Sequence, residues 1–165
     1  MSYDIEKLVE KIVKEQKMNA PANAAPQAKT LTLAVARRAV EMIKAKASEM
    51  GVKAVVAVAD KGANLMTVDS MDGAYIASWD IAANKAFTSV SLKMSTHELS
   101  KLAAPGGSLY GIQFTNNGRI VIFGGGEPIM SGDEVIGGVG VSGGTAEEDT
   151  FLGSFAKKTF EELLK

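Results

Sequence analysis

The sequence RIVIFGGGEPIMSGDEVIGGVGVSGGTAEED, residues 119–149, alternates apolar runs of strand length with clusters of glycine. Residues 119–123 and 134–142 are rich in Ile, Val and Phe, which favour β-strands, and a Gly-Asp turn signal stands before the second run. That run also contains three glycines. Glycine inside a strand indicates that something approaches the backbone closely, and a helix, a neighbouring subunit or a flat ligand would each do so.

The rest of the chain supplies helices and one further hairpin. Ser95 with Glu98, and Thr145 with Glu148, have the spacing of a capping box, which starts a helix. Apolar residues spaced by three and four predict the longer helices, and a turn at Asp60 joins two further strands. The predicted helices span 4–16, 31–50, 74–93, 95–102 and 146–164, and the hairpin strands span 53–59 and 63–69. Hairpin-linked strands with helices in separate runs predict an α+β fold with a mostly antiparallel sheet.

The amino-terminal part of the chain is organised differently from the rest. Residues 4–16 carry an apolar stripe on one helical face, but an isolated helix of this length is marginal in water, so the stripe needs a partner. Residues 18–29 are rich in Ala and contain two prolines, which is linker composition. We therefore predict a docking or targeting helix at 1–17, a linker at 18–29 and a domain at 30–165, with the helix outside the domain.

Composition excludes several classes of function. The formal net charge is −1 and there is no cysteine. A near-neutral chain offers no electrostatic attraction for nucleic acid or an anionic membrane, and without cysteine neither disulfides nor thiolate metal sites form. No apolar run reaches the ~18 residues of a membrane span. These features predict a cytoplasmic protein.

Two ionisable side chains stand out as candidate site residues. His97 is the only histidine, and its place in a helix's first turn favours the neutral, metal-binding imidazole; a plain surface histidine is the alternative. Lys85 lies in the middle of a predicted helix without acidic neighbours on that helix. It is either a snorkelling lysine or half of a Lys–Asp pair that lines a pocket, with Asp60 and Asp149 as possible partners.

The Gly143-Gly144 step before the last helix has the form of an anion cradle. However, the first turn of that helix contains Glu147, Glu148 and Asp149, whose negative charge repels phosphate. The glycine pattern also lies inside a strand and no βαβ unit follows it, so tight backbone packing is favoured over a nucleotide site.

From about residue 30 onward the chain resembles the GlcG/HbpS/PduO C-terminal family of haem-binding domains. The resemblance rests on ordered short motifs: Met71-Asp72-Gly73-Ala74, Ala83-Asn84-Lys85-Ala86, Tyr110-Gly111, Gly125-Gly126-Glu127-Pro128, Val135 to Gly144, and Glu148-Asp149. It implies a five-stranded, profilin-like antiparallel sheet flanked by helices, and assembly into tetramers or octamers. It also implies binding of haem or a corrinoid in a pocket formed by Lys85, Gly125, Gly126, Pro128, Ser142, Gly143 and Asp149.

The chain departs from the family pattern in two places. Ser70 stands where the family often has arginine, and residues 31–50 contain no histidine that could serve as an axial ligand. An iron donor would therefore come from elsewhere. The side chains available for it are His97, Tyr110, Met71 and Met94.

The amino-terminal helix and its linker look like the encapsulation peptides that carry cargo into bacterial microcompartments. The apolar doublets Leu8-Val9 and Ile12-Val13 match that pattern. We therefore expect residues 4–16 to bind shell proteins and the protein to lie in a microcompartment lumen.

Three functions remain open at this point. The first is a homo-oligomeric tetrapyrrole-binding accessory protein carried as microcompartment cargo. The second is an enzyme that acts on a small aldehyde or hydroxy acid in a pocket lined by Lys85, Gly125, Gly126 and Asp149. The third is a structural scaffold whose glycine strands serve subunit packing.

Overall fold

The computed structural model describes residues 4–18 and 30–165, which form helices on both faces of one sheet. The helices are Ile5–Met18 (α1), Leu33–Glu49 (α2), Ile76–Leu92 (α3), Thr96–Leu102 (α4) and Ala146–Leu163 (α5), and the strands are Val55–Asp60 (β1), Leu65–Ser70 (β2), Gly126–Ser131 (β3) and Glu134–Ser142 (β4). Both predicted capping boxes are present, at Ser95 and at Thr145. No helix in these two ranges is long and apolar enough to cross a bilayer.

The sheet is antiparallel throughout, with the order β2-β1-β4-β3, which confirms the α+β prediction. It has four strands and not five, because residues 119–123 form no strand. The hydroxyl of Thr88 on α3 accepts a hydrogen bond from Val121 N at 3.0 Å. Its own proton lies between the Asn84 carbonyl at 2.7 Å and the Arg119 carbonyl at 3.3 Å. The backbone of this apolar segment is therefore held by a helix side chain instead of a strand.

The sheet lies between two helical layers, and β1 shows this most clearly. Val56 and Val58 point into the large core shared with α2 and α5, while Val55, Ala57 and Ala59 point into a smaller core shared with α3. All five are fully buried. An apolar run without alternation predicts a strand covered on both faces, and the structure confirms it.

The face of the sheet under α3 consists of very small residues. Ala57, Gly140 and Gly126 are register partners across three adjacent strands. Gly138 precedes Gly140 by two residues on β4 and therefore lies on the same face. A Cβ added at Gly138 would lie 2.6 Å from Ser89 Oγ and 2.7 Å from the Ala86 carbonyl oxygen. The strand glycines thus let α3 lie directly on the sheet backbone, and α3 occupies the space predicted for a helix, a subunit or a flat ligand.

Helix α1 forms as predicted but packs against α5. Val9 and Val13 of its apolar stripe are buried in the large core, and Glu6 approaches Lys158 of α5 at 3.5 Å. The expected position outside the domain is therefore not the one observed. Residues 19–29 of the predicted linker lie outside the described residues.

Substituting Gly140→Ala tests the contact between α3 and the sheet. The new methyl group would lie 2.7 Å from Ala86 N and closer still to the Ala82 carbonyl oxygen, so α3 must move. We expect the free energy of unfolding in urea to fall by about 2–3 kcal/mol, as for other overpacked sites. The control is Gly62→Ala, whose methyl group would meet the exposed side chain of Asn64 and the half-buried side chain of Asp60. Equal losses in the two variants would contradict this description.

Candidate functional site

A buried lysine on α3 joins three elements of the fold. Lys85 has no exposed surface, and its ammonium group lies 2.7 Å from Asp149 Oδ2 on α5. It also donates a hydrogen bond to the Val141 carbonyl of β4 at 2.8 Å and lies 4.8 Å from the centre of the Phe123 ring. The predicted Lys–Asp pair is present with Asp149 as partner. Asp60, the other predicted partner, instead accepts hydrogen bonds from backbone amides within its own turn.

The second oxygen of Asp149 is also fully engaged. Asp149 Oδ1 accepts hydrogen bonds from Gly143 N at 3.1 Å and Gly144 N at 2.9 Å. These amides lie before the amino terminus of α5, where an external anion would otherwise bind. The carboxylate of the chain itself takes that place, so the Gly143-Gly144 step is an internal anion site and not a phosphate cradle.

Two further predicted site glycines surround the pair. Gly125 has a φ of +113°, and a Cβ there would lie 2.8 Å from Lys85 Nζ. Its carbonyl oxygen accepts a hydrogen bond from Val141 N at 2.8 Å. Gly126 N donates to Thr96 Oγ1 at 2.9 Å, and a Cβ there would lie 2.7 Å from the Lys85 carbonyl oxygen.

The two remaining predicted residues lie beside this cluster. The Ser142 and Ser78 hydroxyls are 3.2 Å apart, and Pro128 is the register partner of Gly138. The structure therefore brings Lys85, Gly125, Gly126, Gly143 and Asp149 together. Within this cluster the Lys85 and Asp149 side chains are closed off from solvent, whereas Gly143 also lines an open cavity of about 490 Å³.

The electrostatics of the cluster favour a structural role. Burial lowers the pKa of the Lys85 ammonium, while the Asp149 carboxylate opposes that shift. An amine that is fully enclosed and bonded on several sides has no route to a substrate carbonyl. The burial of Lys85 thus gives no support to the aldehyde-processing alternative. The predicted role of these residues in tetrapyrrole binding stays a prediction.

A surface that does fit a flat apolar group lies on the outer side of α3. Ile76 is 97% exposed, Trp79 is 50% exposed and the neighbouring Tyr75 is 72% exposed. Ile76, Trp79, Ala83 and Phe87 follow the spacing of one helical face, opposite to the face that carries Lys85. Ile76 and Trp79 are its exposed members, since Ala83 is buried and Phe87 is half-buried. Arg119 lies over the Phe87 ring at 3.7 Å from its centre. We call this surface the outer α3 face.

A cavity of about 850 Å³ lies between the first turn of α1, helix α4, strand β3 and α5. Glu127 of β3 lines this cavity and is only 7% exposed. Burial raises the pKa of its carboxyl to about 7; Lys157 opposes the shift, and Glu98 and Glu161 add to it. His97 lines the same cavity, at the predicted second position of α4.

Sequence analysis missed Glu127 as a site residue, although it lies inside a motif that carries the resemblance. The strand period contained a signal for Glu127. Residues two apart lie on the same face of a strand, so Glu127 shares a face with the apolar Ile129, which the structure shows to be fully buried. For the predicted metal role of His97, no group of three or more metal-binding side chains occurs within residues 4–18 and 30–165.

Comparison with known proteins agrees with this description of the fold. A family model described as "Haem degrading protein HbpS-like" matches residues 31–155. An uncharacterised 15.0 kDa protein from the dhaT-dhaS intergenic region of Citrobacter freundii is 47% identical over 141 residues, which cover 86% of this chain and 99% of that protein. The corrinoid adenosyltransferase PduO of Salmonella typhimurium is 38% identical over 104 residues, but these are only 31% of that enzyme.

Two solved structures are similar over most of the chain. The Klebsiella pneumoniae protein ORFY superposes with a TM-score of 0.77 at 44% identity and covers 86% of this chain and 98% of its own. The PduOC:Heme complex superposes with a TM-score of 0.75 at 32% identity and covers 79% of this chain and 94% of its own.

A double-mutant cycle tests whether Lys85 and Asp149 act as one unit. Asp149→Asn leaves a buried ammonium without its counter-charge, and we expect it to lower the free energy of unfolding by about 3–5 kcal/mol. The double variant Lys85→Met with Asp149→Asn should lose much less free energy of unfolding than the two single variants lose in sum. The expected coupling energy is about 2 kcal/mol or more.

The matched control is the partly exposed pair of Lys44 and Asp69, also separated by 2.7 Å. There, Lys44→Met and Asp69→Asn should couple by less than about 1 kcal/mol, as expected for a solvent-screened pair. Urea unfolding measures both cycles. Additive effects of Lys85→Met and Asp149→Asn would contradict the assigned contact.

Proposed function

The chain belongs to the HbpS-like family of haem-degrading proteins, and from that premise we propose that it binds a haem-type tetrapyrrole on the outer α3 face. The observation that carries the proposal is the PduOC:Heme complex, a relative with the same fold over 79% of this chain. The proposal concerns a binding function only, since the aligned part of PduO is less than a third of that adenosyltransferase.

The outer α3 face has the chemistry that a tetrapyrrole needs. Both faces of the macrocycle are largely apolar, so binding removes apolar surface from water. Ile76 is almost fully exposed and Trp79 is half exposed. Covering a side chain of this kind contributes about 1.5–3 kcal/mol when the burial is complete. Arg119, at the edge of the face, adds a cation that can pair with a propionate carboxylate.

A surface of this kind is also suited to contact between copies of the chain. Exposed aromatic and large aliphatic side chains are typical of interfaces. We propose that two copies meet at the outer α3 face and enclose the tetrapyrrole between them, because one exposed face covers only one side of a flat ligand. This proposal extends the expected homo-oligomer, and the tetramer or octamer stays a prediction.

Two exposed side chains are available as iron donors. Tyr110 is 66% exposed in the loop between α4 and β3. His97 lines the cavity between α1, α4, β3 and α5, so on the outer α3 face it would serve as a donor from the second copy. Met71 is less suited, because its sulfur already accepts a hydrogen bond from Ala54 N at 3.4 Å. A corrinoid brings its own axial ligands, so these donors distinguish haem from a corrinoid.

Titration with haemin, monitored by absorbance and tryptophan fluorescence, tests the proposed surface. Trp79 is the only tryptophan of the chain, so a tetrapyrrole on the outer α3 face must quench nearly all of the fluorescence. We expect Ile76→Ser to weaken binding about tenfold, because it removes an apolar side chain that the tetrapyrrole would cover. The control Leu65→Ser changes another half-exposed apolar residue, on β2, and should leave binding unchanged.

The same titration assigns the ligand and the donor. A shifted Soret band that is lost in His97→Ala or in Tyr110→Phe identifies the donor, and hydroxocobalamin in place of haemin tests for a corrinoid. Native mass spectrometry of the loaded protein reports the number of copies per tetrapyrrole. Haemin binding without Trp79 quenching, or equal binding by Ile76→Ser and the parent, would contradict the proposed surface.

We further propose that α1 is a targeting helix that binds microcompartment shell proteins. Its stripe of Ile5, Leu8, Val9, Ile12 and Val13 is the face expected to dock on a shell protein. In the structure Val9 and Val13 are buried against α5. Docking on a shell therefore requires α1 to leave α5, so the two contacts compete for one apolar stripe.

A fluorescent reporter fused to residues 1–17 tests this targeting role. In cells that express shell proteins, we expect the reporter to form foci, because the fused stripe has no α5 to pack against. The control fusion carries Val9→Asp and Val13→Asp, which place charge on the buried side of the stripe. A diffuse signal from the intact fusion, or foci that persist in the control, would exclude α1 as a targeting helix for the shell.

A further inference from the structure

The cavity around Glu127 contains the most unusual carboxyl group of the described residues. Two acidic residues of the described ranges are more than nine-tenths buried, Glu127 in this cavity and Asp149 in the cluster with Lys85. Asp149 is bonded to Lys85 and to two backbone amides. No side chain or amide of residues 4–18 and 30–165 donates a hydrogen bond to the Glu127 carboxylate. The Glu127 oxygens are not among the described buried side-chain atoms that lack a partner. They face the cavity, where an external donor can reach them.

Glu127 forms no ion pair with the charged groups around the cavity, although the charge of Lys157 partly offsets the effect of its burial. On α5, Lys158 forms ion pairs with Glu161 at 3.0 Å and with Glu6 of α1 at 3.5 Å, whereas Lys157 forms none with Glu127. On α4, the Glu98 carboxylate accepts hydrogen bonds from Ser95, which caps that helix.

The set of charged or titratable side chains that line the cavity is completed by His97 and Lys101 of α4 and by Asp4, which precedes α1. The wall carries five carboxyl groups against three lysines, so its charge favours a cation.

We propose that this cavity is a binding site for a small molecule with a protonated primary amine, and that the ammonium group pairs with Glu127. An ammonium supplies both the hydrogen-bond donors and the positive charge that the carboxylate lacks. A divalent metal ion is disfavoured because no group of three metal-binding side chains occurs in the described parts of the chain. The cavity of about 850 Å³ accommodates the carbon skeleton of such a molecule.

The position of Glu127 allows a simpler alternative. Strand β3 lies at the edge of the sheet, and an inward-pointing charge on an edge strand discourages pairing with another sheet. A guarding residue of that kind needs no ligand. The cavity distinguishes the two roles, because an edge guard does not require a lined space beside it.

The site makes binding dependent on pH. Because burial raises the pKa of Glu127 to about 7, the carboxyl is largely neutral in mildly acidic solution and ionised in mildly basic solution. An ammonium binds the ionised form, so affinity must increase as the pH rises through this range. By linkage, a saturating amine must lower the apparent pKa of Glu127.

The test is an NMR titration of the full chain with ethylammonium chloride, with ethanol as the neutral probe of similar size. At about pH 8 we expect saturable shifts of amide signals around the cavity, and at least about tenfold weaker binding at about pH 5.5. Glu127→Gln should weaken binding at about pH 8 by at least about tenfold. The exposed control Glu134→Gln should bind like the parent, and His97→Ala should keep the pH dependence.

A second measurement needs no variant. The ¹³C carboxyl signal of Glu127, followed against pH in the parent protein, should titrate at lower pH when ethylammonium is present. The proposal is overturned by equal binding to the parent and Glu127→Gln, by ethanol binding as tightly as ethylammonium, or by the absence of saturable shifts. An unchanged Glu127 titration at saturating amine would overturn it independently.

Discussion

The ion pair of Lys85 and Asp149 is the contact on which the other features of this fold depend. It joins α3, β4 and α5 through one ammonium and one carboxylate, each bonded to the backbone as well as to the other. Removing two charges from water is expensive, and such a pair persists only when further hydrogen bonds satisfy both groups. The pair therefore fixes where the three elements lie relative to each other more than it adds to stability.

The glycines of β3 and β4 are the geometric condition for that contact. Lys85 reaches Asp149 across the sheet surface only because α3 rests on backbone at Gly126, Gly138 and Gly140. The same arrangement has a functional consequence. Since α3 turns its polar and small residues toward the sheet, its large apolar side chains Ile76 and Trp79 are left facing water. The Lys85 and Asp149 side chains are closed off from solvent, and the exposed apolar surface lies on the opposite side of α3.

Local patterns predicted most of the fold. The spacing of apolar residues and the two capping boxes predicted the five helices. Capping boxes are local signals, because each cap residue bonds to an amide only three positions away. The pair of Lys85 and Asp149 was also predictable as one of two options, since an isolated lysine on an apolar helix needs a partner. Residues 119–123 were predicted wrongly as a strand. The group that binds their backbone, the Thr88 hydroxyl, lies on α3, about thirty residues earlier in the chain, and the local sequence pattern does not reveal it. The Glu127 cavity was missed for a similar reason: its walls come from four separate elements.

Hydrogen exchange at Gly143 and Gly144 tests the central contact most directly. These two amides precede α5, and Asp149 Oδ1 is their hydrogen-bond acceptor. If the pair of Lys85 and Asp149 holds the fold together, both amides must exchange as slowly as Val141 N in the middle of the sheet, although Gly144 is exposed. Exchange of both amides at the rate of an unstructured loop, with Val141 protected, would contradict the account.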